Sequence, residues 1–307
     1  MKLVSVIIPC YLDSHTLGRA IESVNSQTYP NIEIIVVNDC SPESEQIEAC
    51  LSQYPQVRYF RNPINVGLAA TRNNGLAMAR GEIVALLDAD DEYIAEKISL
   101  QVEALEPNTV VTCGLVYKYP NGRLEVRSRP SCLIESATEL QYKNTLNGAG
   151  LMASKSLLLQ HGGYDPTLRS CEDFDLWFRL LSSGIRVRDI GVPLYIYYHN
   201  PSGLSKNFRN ISKWEIEVIE RYAVRMGAEW CSTPKYASVI AVWLLRHLMR
   251  SELINDEELR RQVIRKIPLL DAFPFFQFCF RLITFSRVLS LPALLIRWQS
   301  GPRSCTN

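Results

Sequence analysis

Residues 82–93 read EIVALLDADDEY, an apolar run from Ile83 to Leu87 behind Glu82 that ends in Asp88, Asp90 and Asp91. The run has the length and composition of a buried strand. Three carboxylates this close repel, and each raises its neighbours' pKa. Something must offset that repulsion, most simply a cation or a helix N-terminus. A strand that is apolar along its length and acidic at its carboxyl end fits a sheet covered on both faces. In such sheets ligands bind beyond the carboxyl ends of the strands.

The same arrangement recurs upstream. LVSVIIP (3–9) is a β-branched run closed by Pro9, and IEIIVVND (32–39) is a second run that ends in an acid. HTLGRAIESVNSQ (15–27) has apolar residues at 17, 20, 21 and 24, a helical spacing. SEQIEACLSQY reads as a helix, VRYFRN as a short strand, and GLAATRNNGLAMAR (67–80) as a small-residue helix able to pack closely. This alternation predicts an α/β fold with parallel strands at its centre. The strand ends carry PCYLD, NDCSPE and DADD, so Asp13, Asp39, Asp88, Asp90 and Asp91 are expected on one rim. No GxGxxG follows the first strand and no GxxxxGK[ST] occurs, which removes the usual markers of dinucleotide and P-loop sites.

Downstream, Asn121-Gly122 in YPNGR predicts a hairpin within 110–127. LNGAGLMAS reads as a Gly-containing strand or loop, and GGYDPTLRSCEDFDLWFRLLSSG as a loop opening a helix. VPLYIYYHNPSGLSKN is an apolar strand followed by a polar loop. After about residue 211 only helical patterns remain, roughly 211–226, 234–250, 255–266 and 274–298. The expected domains are therefore an α/β unit over 1–210 and a helical region over 211–307.

The 307 residues are 47% apolar and 21% charged, with a net charge of +1. Bulk charge thus gives no argument for nucleic-acid binding. Arg246 to Arg303 holds ten Lys/Arg against five Asp/Glu, however, a basic end on a mildly acidic body. Nine cysteines with no CxxC pair predict reduced, mostly buried thiols. MKLVSVIIP leads straight into a strand with no signal-peptide pattern, so a cytoplasmic protein is expected. In 275–298 Gln277, Arg281, Thr284 and Arg287 form one helical stripe, and the longest uncharged runs are nine residues, too short to span a bilayer. An in-plane helix on an anionic membrane and a helix packed on protein, including a second subunit, both fit.

Four constellations can carry chemistry. Asp88 and Asp90 at a strand end could face Mg²⁺ or Mn²⁺ through hard oxygens, or Asp90 or Asp91 could cap a helix starting near Glu92. Asn38-Asp39-Cys40-Ser41 is an Asx-rich turn or a ligand contact. In SCEDFDLWFRL, Glu172 and Asp173 could cap a helix through a box with Ser170, or supply a general base. His199, Ser202 and Ser205 lie on a loop with a Gly hinge, either exposed or closing over a ligand.

VSVIIPCY, QTYPNIEIIVVNDCSPE, NVGLAATRNNGLAMARGEIVALLDADD, GGYDP and CEDFDLWFRL occur in this order. The set resembles the inverting, metal-dependent glycosyltransferases of family 2, of the bacterial cell-surface polysaccharide type, over roughly residues 3–206. The resemblance implies a GT-A fold, a Rossmann-like mixed sheet flanked by helices, followed here by an all-helical C-terminal extension. It implies a sugar transferred from a nucleotide-diphosphate donor, a uridine one by family habit, to a hydroxyl of a glycan or lipid-linked acceptor, with Mn²⁺ or Mg²⁺ as cofactor. Asp39, Pro9 and Tyr11 would line the nucleotide pocket, Arg72 would lie near the base, and Asp88 near the ribose and metal. Asp90 would hold the metal, and Asp173 would be the base with Glu172 beside it. His199 and Ser205 would sit on the loop near the diphosphate, with His199 also a metal ligand and Ser202 and Ser205 loop residues towards the acceptor. Partners would be the donor, the acceptor, the cytoplasmic face of a membrane and, through the C-terminal helices, an oligomer. Two departures stand out. Cys40 replaces the glycine of the Asp-Gly-Ser turn, and Leu12 replaces an asparagine. The rival readings are a nucleotidyltransferase, which would need a basic Gly-rich loop after the first strand, and a non-catalytic nucleotide- or glycan-binding relative, which would not need all four of Asp39, Asp88, Asp90 and Asp173.

Overall fold

Val4, Val6 and Ile8 point to one face of the first strand and Ser5 and Ile7 to the other, and all five are buried. β1 (Val4–Cys10) is therefore an interior strand. It pairs in parallel with β2 (Ile32–Asn38) on one side and β4 (Ile83–Leu86) on the other. β3 (Arg58–Arg61) continues the parallel set beyond β2. The structure is a computed structural model that describes residues 1–200, 203, 207–270 and 273. The chain divides into two compact units, residues 1–206 and the residues from Asn207 onward.

The first unit is a mixed sheet flanked by helices. Beyond β4 come β9 (Met152–Ser154), β6 (Thr109–Lys118), β10 (Arg186–Tyr198) and β5 (Glu92–Tyr93). The sheet order is β3-β2-β1-β4-β9-β6-β10-β5. β9 runs antiparallel to both β4 and β6, so β6 and β4 point the same way and their carboxyl ends share a rim. β6 and β10 are parallel. The expected hairpin is present: β7 (Leu124–Arg127) pairs antiparallel with the end of β6, and Gly122 takes a positive φ of 81° in the turn.

Helices cover the sheet as the spacing predicts. α1 (Leu17–Asn25) buries Leu17, Ala20, Ile21 and Val24. α3 (Leu68–Met78) packs so closely that a Cβ at Gly75 would meet Val37 at 3.3 Å and collide with Ile7. Gly75→Ala is therefore expected to destabilise by about 1–3 kcal/mol through overpacking, although alanine is the better helix former. Thermal denaturation checks this, and an unchanged or raised Tm would contradict the packing.

One expectation fails near the acids. No helix starts at Glu92. Residues 92–93 form β5, antiparallel to β10, and the next helix is α4 (Lys97–Glu103). Asp90 and Asp91 are thus not helix caps.

The second unit is helical among the described residues. α7 (Phe208–Cys231) is broken at Gly227, whose φ is 82°. α8 (Pro234–Leu253) starts at a capping Thr233, which accepts a bond from Tyr236 N, with Pro234 in its first turn. It buries Val239, Ile240, Trp243 and Leu244. α9 (Glu257–Ile264) follows. The helix expected over 274–298 lies outside the described residues. Among those described, no helix is long and apolar enough to cross a membrane.

Candidate active site

The three acids at the end of β4 divide into three environments. Asp91 is buried, and it accepts bonds from Tyr195 Oη at 2.8 Å and Tyr198 N at 2.9 Å. It ties the strand end to β10. Asp88 is neutralised by Arg72, whose Nη2 lies 2.8 Å from Asp88 Oδ1. Asp90 has no such partner among the described residues. Its backbone carbonyl accepts a bond from Arg19 Nη2, but burial, Asp88 and Asp13 push its carboxyl from an ordinary 3.8 up to about 7, against a weaker pull from Arg19. Asp13 is pushed up to about 6, by burial first and then by Asp88 and Glu43. The repulsion is therefore concentrated on Asp13 and Asp90, and there a cation would have the most to gain.

The sign of that repulsion gives a testable outcome. Asp90 has a raised pKa in the fold, so the unfolded chain releases its proton first. Stability is lost as pH rises from about 4 to about 7. Asp90→Asn does not titrate, so the nucleotide-free variant should melt higher than the parent at pH 7.5, by about 1 kcal/mol after discounting for solvent screening. The gap should close near pH 4. Melting curves at both pH values check it, and a lower Tm at pH 7.5 would contradict the assigned repulsion.

α6 (Glu172–Ser182) brings the second acidic pair to the same place. Arg72 Nη1 lies 2.6 Å from Glu172 Oε1, so one guanidinium joins Asp88 to Glu172. Burial disfavours the charge on Arg72, and the two carboxylates outweigh it, so its pKa lies above the ordinary value. Asp173 is next in line. Its Oδ2 accepts from Asn144 Nδ2 at 3.2 Å, and a Cβ at Gly148 would run into its carboxylate. Burial, then Glu172, push it up to about 6 while Arg72 pulls the other way. The helix does not start on a Ser170 capping box. Cys171 holds the N-cap position in left-handed geometry, φ 60°, with no side-chain cap.

The RNN triplet of α3 explains how the loops are held. Arg72 reaches the two acids. Asn73 exchanges two bonds with the Tyr164 backbone, 2.7 and 2.8 Å, fixing the GGYDP loop. Asn74 donates to Asn62 Oδ1 at 2.8 Å. Asn62 in turn donates to Asp39 Oδ1 at 2.9 Å, and Asp39 also accepts from Val66 N and Gly67 N, each at 2.8 Å. Asp39 thus shapes the 62–67 loop that borders its own turn.

Residues 5–159 match the family described as Glycosyl transferase family 2. The chain belongs to glycosyl transferase family 2. An uncharacterized glycosyltransferase of Rickettsia bellii is 31% identical over 66% of this chain, and the chain spans 31% of that relative's length. The UDP-Glc:alpha-D-GlcNAc-diphosphoundecaprenol beta-1,3-glucosyltransferase WfaP of Escherichia coli is 30% identical over 69% of this chain and 83% of its own. Among solved structures, S. aureus TarS 1–349 in complex with UDP-GlcNAc superposes with a TM-score of 0.57 at 17% identity, covering 86% of this chain and 91% of that one. That likeness speaks for the fold alone, which is GT-A.

Within this family-2 chain the expected site residues fall into groups. Asp88 and Glu172 pair with Arg72, Asp173 lies beside Glu172, and Asp13 and Asp90 lie near Asp88. Arg72 itself, expected beside a base, is 3% exposed and enclosed by two acids. Pro9 is buried inside β1, whereas Tyr11 stands 41% exposed just beyond it. His199, expected at the metal, stacks on Tyr119 at 5.1 Å, with Nδ1 buried and without a hydrogen-bond partner among the described residues. Ser202 and Ser205 lie outside the described residues. Among the described residues no three His, Cys, Asp or Glu side chains are arranged to hold a metal ion. Asp88 and Asp90 offer hard carboxylate oxygens, which would suit a Mg²⁺ or Mn²⁺ that takes its remaining ligands from phosphate and water. Cys40 and Leu12, the two departures, both sit at positive φ, 54° and 62°. Each holds the left-handed geometry that glycine or asparagine takes at low cost. The sequence does not mark Asn144 or Gly148 as site residues; only the glycines of LNGAG hint at a close approach.

Proposed function

We propose that the chain is an inverting glycosyltransferase that moves a sugar from a UDP-sugar to a hydroxyl of a lipid-linked glycan acceptor in cell-surface polysaccharide synthesis. The observation that carries this reading is Arg72, which joins the acid at the end of β4 to the acidic pair at the start of α6. In this reading the guanidinium ties Asp88, an acid of the donor rim, to Glu172, the neighbour of the proton acceptor Asp173. The uridine donor and the lipid-linked acceptor come from what the E. coli relative is named for, and the UDP-GlcNAc complex of TarS agrees with the donor.

In this reading Asp39 and Tyr11 border the nucleoside. Asp88 and Asp90 would hold Mn²⁺ or Mg²⁺, which when bound would stabilise the charge of the departing diphosphate. Asp173 accepts the proton of the acceptor hydroxyl as that oxygen bonds to the anomeric carbon. The bond from that carbon to the diphosphate oxygen breaks on the opposite face, UDP leaves with the electron pair, and the configuration inverts. Arg72 pairs with both Glu172 and Asp88, and its charge pulls against the repulsion that Glu172 exerts on Asp173. Asn144 and Gly148 fix where the Asp173 carboxylate points.

The test is transfer from a panel of nucleotide sugars to a GlcNAc-diphosphate-polyprenol acceptor, with the product's anomeric configuration read by NMR. Metal-dependent transfer with inversion is the expected result. Nucleotide binding without transfer to any acceptor would favour a binding relative instead. The nucleotidyltransferase reading is disfavoured because PCYLDSHTLG after β1 is not a basic, Gly-rich phosphate loop.

A further inference from the structure

The β6–β7 hairpin carries side chains that the site does not use. In register, Val126 faces Val116 and Leu124 faces Lys118, and Lys118 in turn faces Tyr198 of β10. Cross-strand partners share a face of the sheet, so Leu124 and Val126 lie on one face, each 60% exposed. Two exposed apolar side chains side by side on an edge strand are unusual, since edges are normally blunted by charge.

The other face of the hairpin is cationic and aromatic. Arg123 lies over the Tyr119 ring at 4.0 Å and Arg127 over the Tyr117 ring at 4.0 Å. Both guanidiniums share one carboxylate, Glu125, at 3.7 and 2.7 Å, and are 61% and 53% exposed. With Lys118 the hairpin has three cations to one anion. Exposed aliphatics, tyrosines and an excess of arginine are the composition of an element at a lipid–water interface. The hairpin also stands beside the acidic rim, because Tyr198 bonds Asp91 through its backbone N and Glu92 through its hydroxyl.

We propose that the β6–β7 hairpin seats edge-on on an anionic bilayer through β7, which among the described residues pairs only with β6, with Leu124 and Val126 on one face entering the headgroup region and Arg123 and Arg127 on the other, together with Lys118, meeting lipid phosphates. This deepens the reading of a lipid-linked acceptor and rests on it. A membrane-seated hairpin next to the rim brings an acceptor hydroxyl that stays near the bilayer surface to Asp173.

The test is co-sedimentation of the full chain with vesicles of phosphatidylcholine alone or mixed equally with phosphatidylglycerol. The wild-type protein should bind the anionic vesicles. L124S/V126S should bind them about tenfold more weakly, and R123Q about fivefold more weakly, with no such loss on neutral vesicles. Both variants should keep the parent's Tm and its Mn²⁺-dependent stabilisation by UDP, which reads the donor site separately. No binding by the wild type, or equal binding by L124S/V126S and the parent, would overturn the proposal. So would a shift of L124S/V126S from dimer to monomer with vesicle binding intact, which would make this edge a contact between copies of the chain.

Discussion

Asp173→Asn is expected to lower kcat for glycosyl transfer by about 10²–10⁴-fold while leaving nucleotide binding intact. The amide keeps the shape and the Asn144 contact but cannot accept a proton. The pH profile adds an independent readout. Asp173 must be ionised to act, and its carboxyl is pushed up to about 6. In the parent, kcat/KM should be level above pH 7 and fall about tenfold per unit once pH drops below about 6. The residual activity of the variant should lack that step. Full turnover by Asp173→Asn would refute the base assignment, and an unchanged pH step would assign it to another group.

Arg72→Ala is expected to cost about 3–5 kcal/mol, because it leaves Glu172 buried and Asp88 half-buried without their counter-charge. In Tm this is a fall of roughly 10 °C for a chain of this size. Two further variants separate charge from packing. Arg72→Met fills most of the volume and should be nearly as destabilised. Arg72→Met with Glu172→Gln removes one stranded charge and should recover part of the loss, a coupling that two merely additive substitutions would not show. Denaturant unfolding measures all three. A loss below about 1 kcal/mol for Arg72→Ala would mean the network is solvated enough to behave as a surface pair.

Much of the first unit is legible in the sequence because its strands are long and apolar. β1, β2 and β4 announce themselves by β-branched runs, and α1 by the four positions it buries. The acidic rim follows from where those strands end. β5 and β9 are different, with two and three residues. Segments that short have no period to read, and each is held by partners far along the chain. The same limit hides the centre of the site. Arg72 and Glu172 are 100 residues apart, and nothing local marks the arginine as a bridge between acids. Asn144 and Gly148 matter only because the fold lays their loop on Asp173. The departures at Leu12 and Cys40 are visible as residue types, but their left-handed backbone is a property of the folded turns.

The most direct test of the central claim is a thermal melt of the parent and Asp90→Asn with UDP, in the presence and absence of Mn²⁺. Ligand that binds only the folded protein raises stability by about 2.7 kcal/mol at a hundredfold excess over Kd. The parent should gain this only when Mn²⁺ and UDP are added together, and Asp90→Asn should melt higher alone yet gain little from the pair. No stabilisation of the parent by UDP or any other nucleoside diphosphate, with or without metal, would contradict a donor site at this rim.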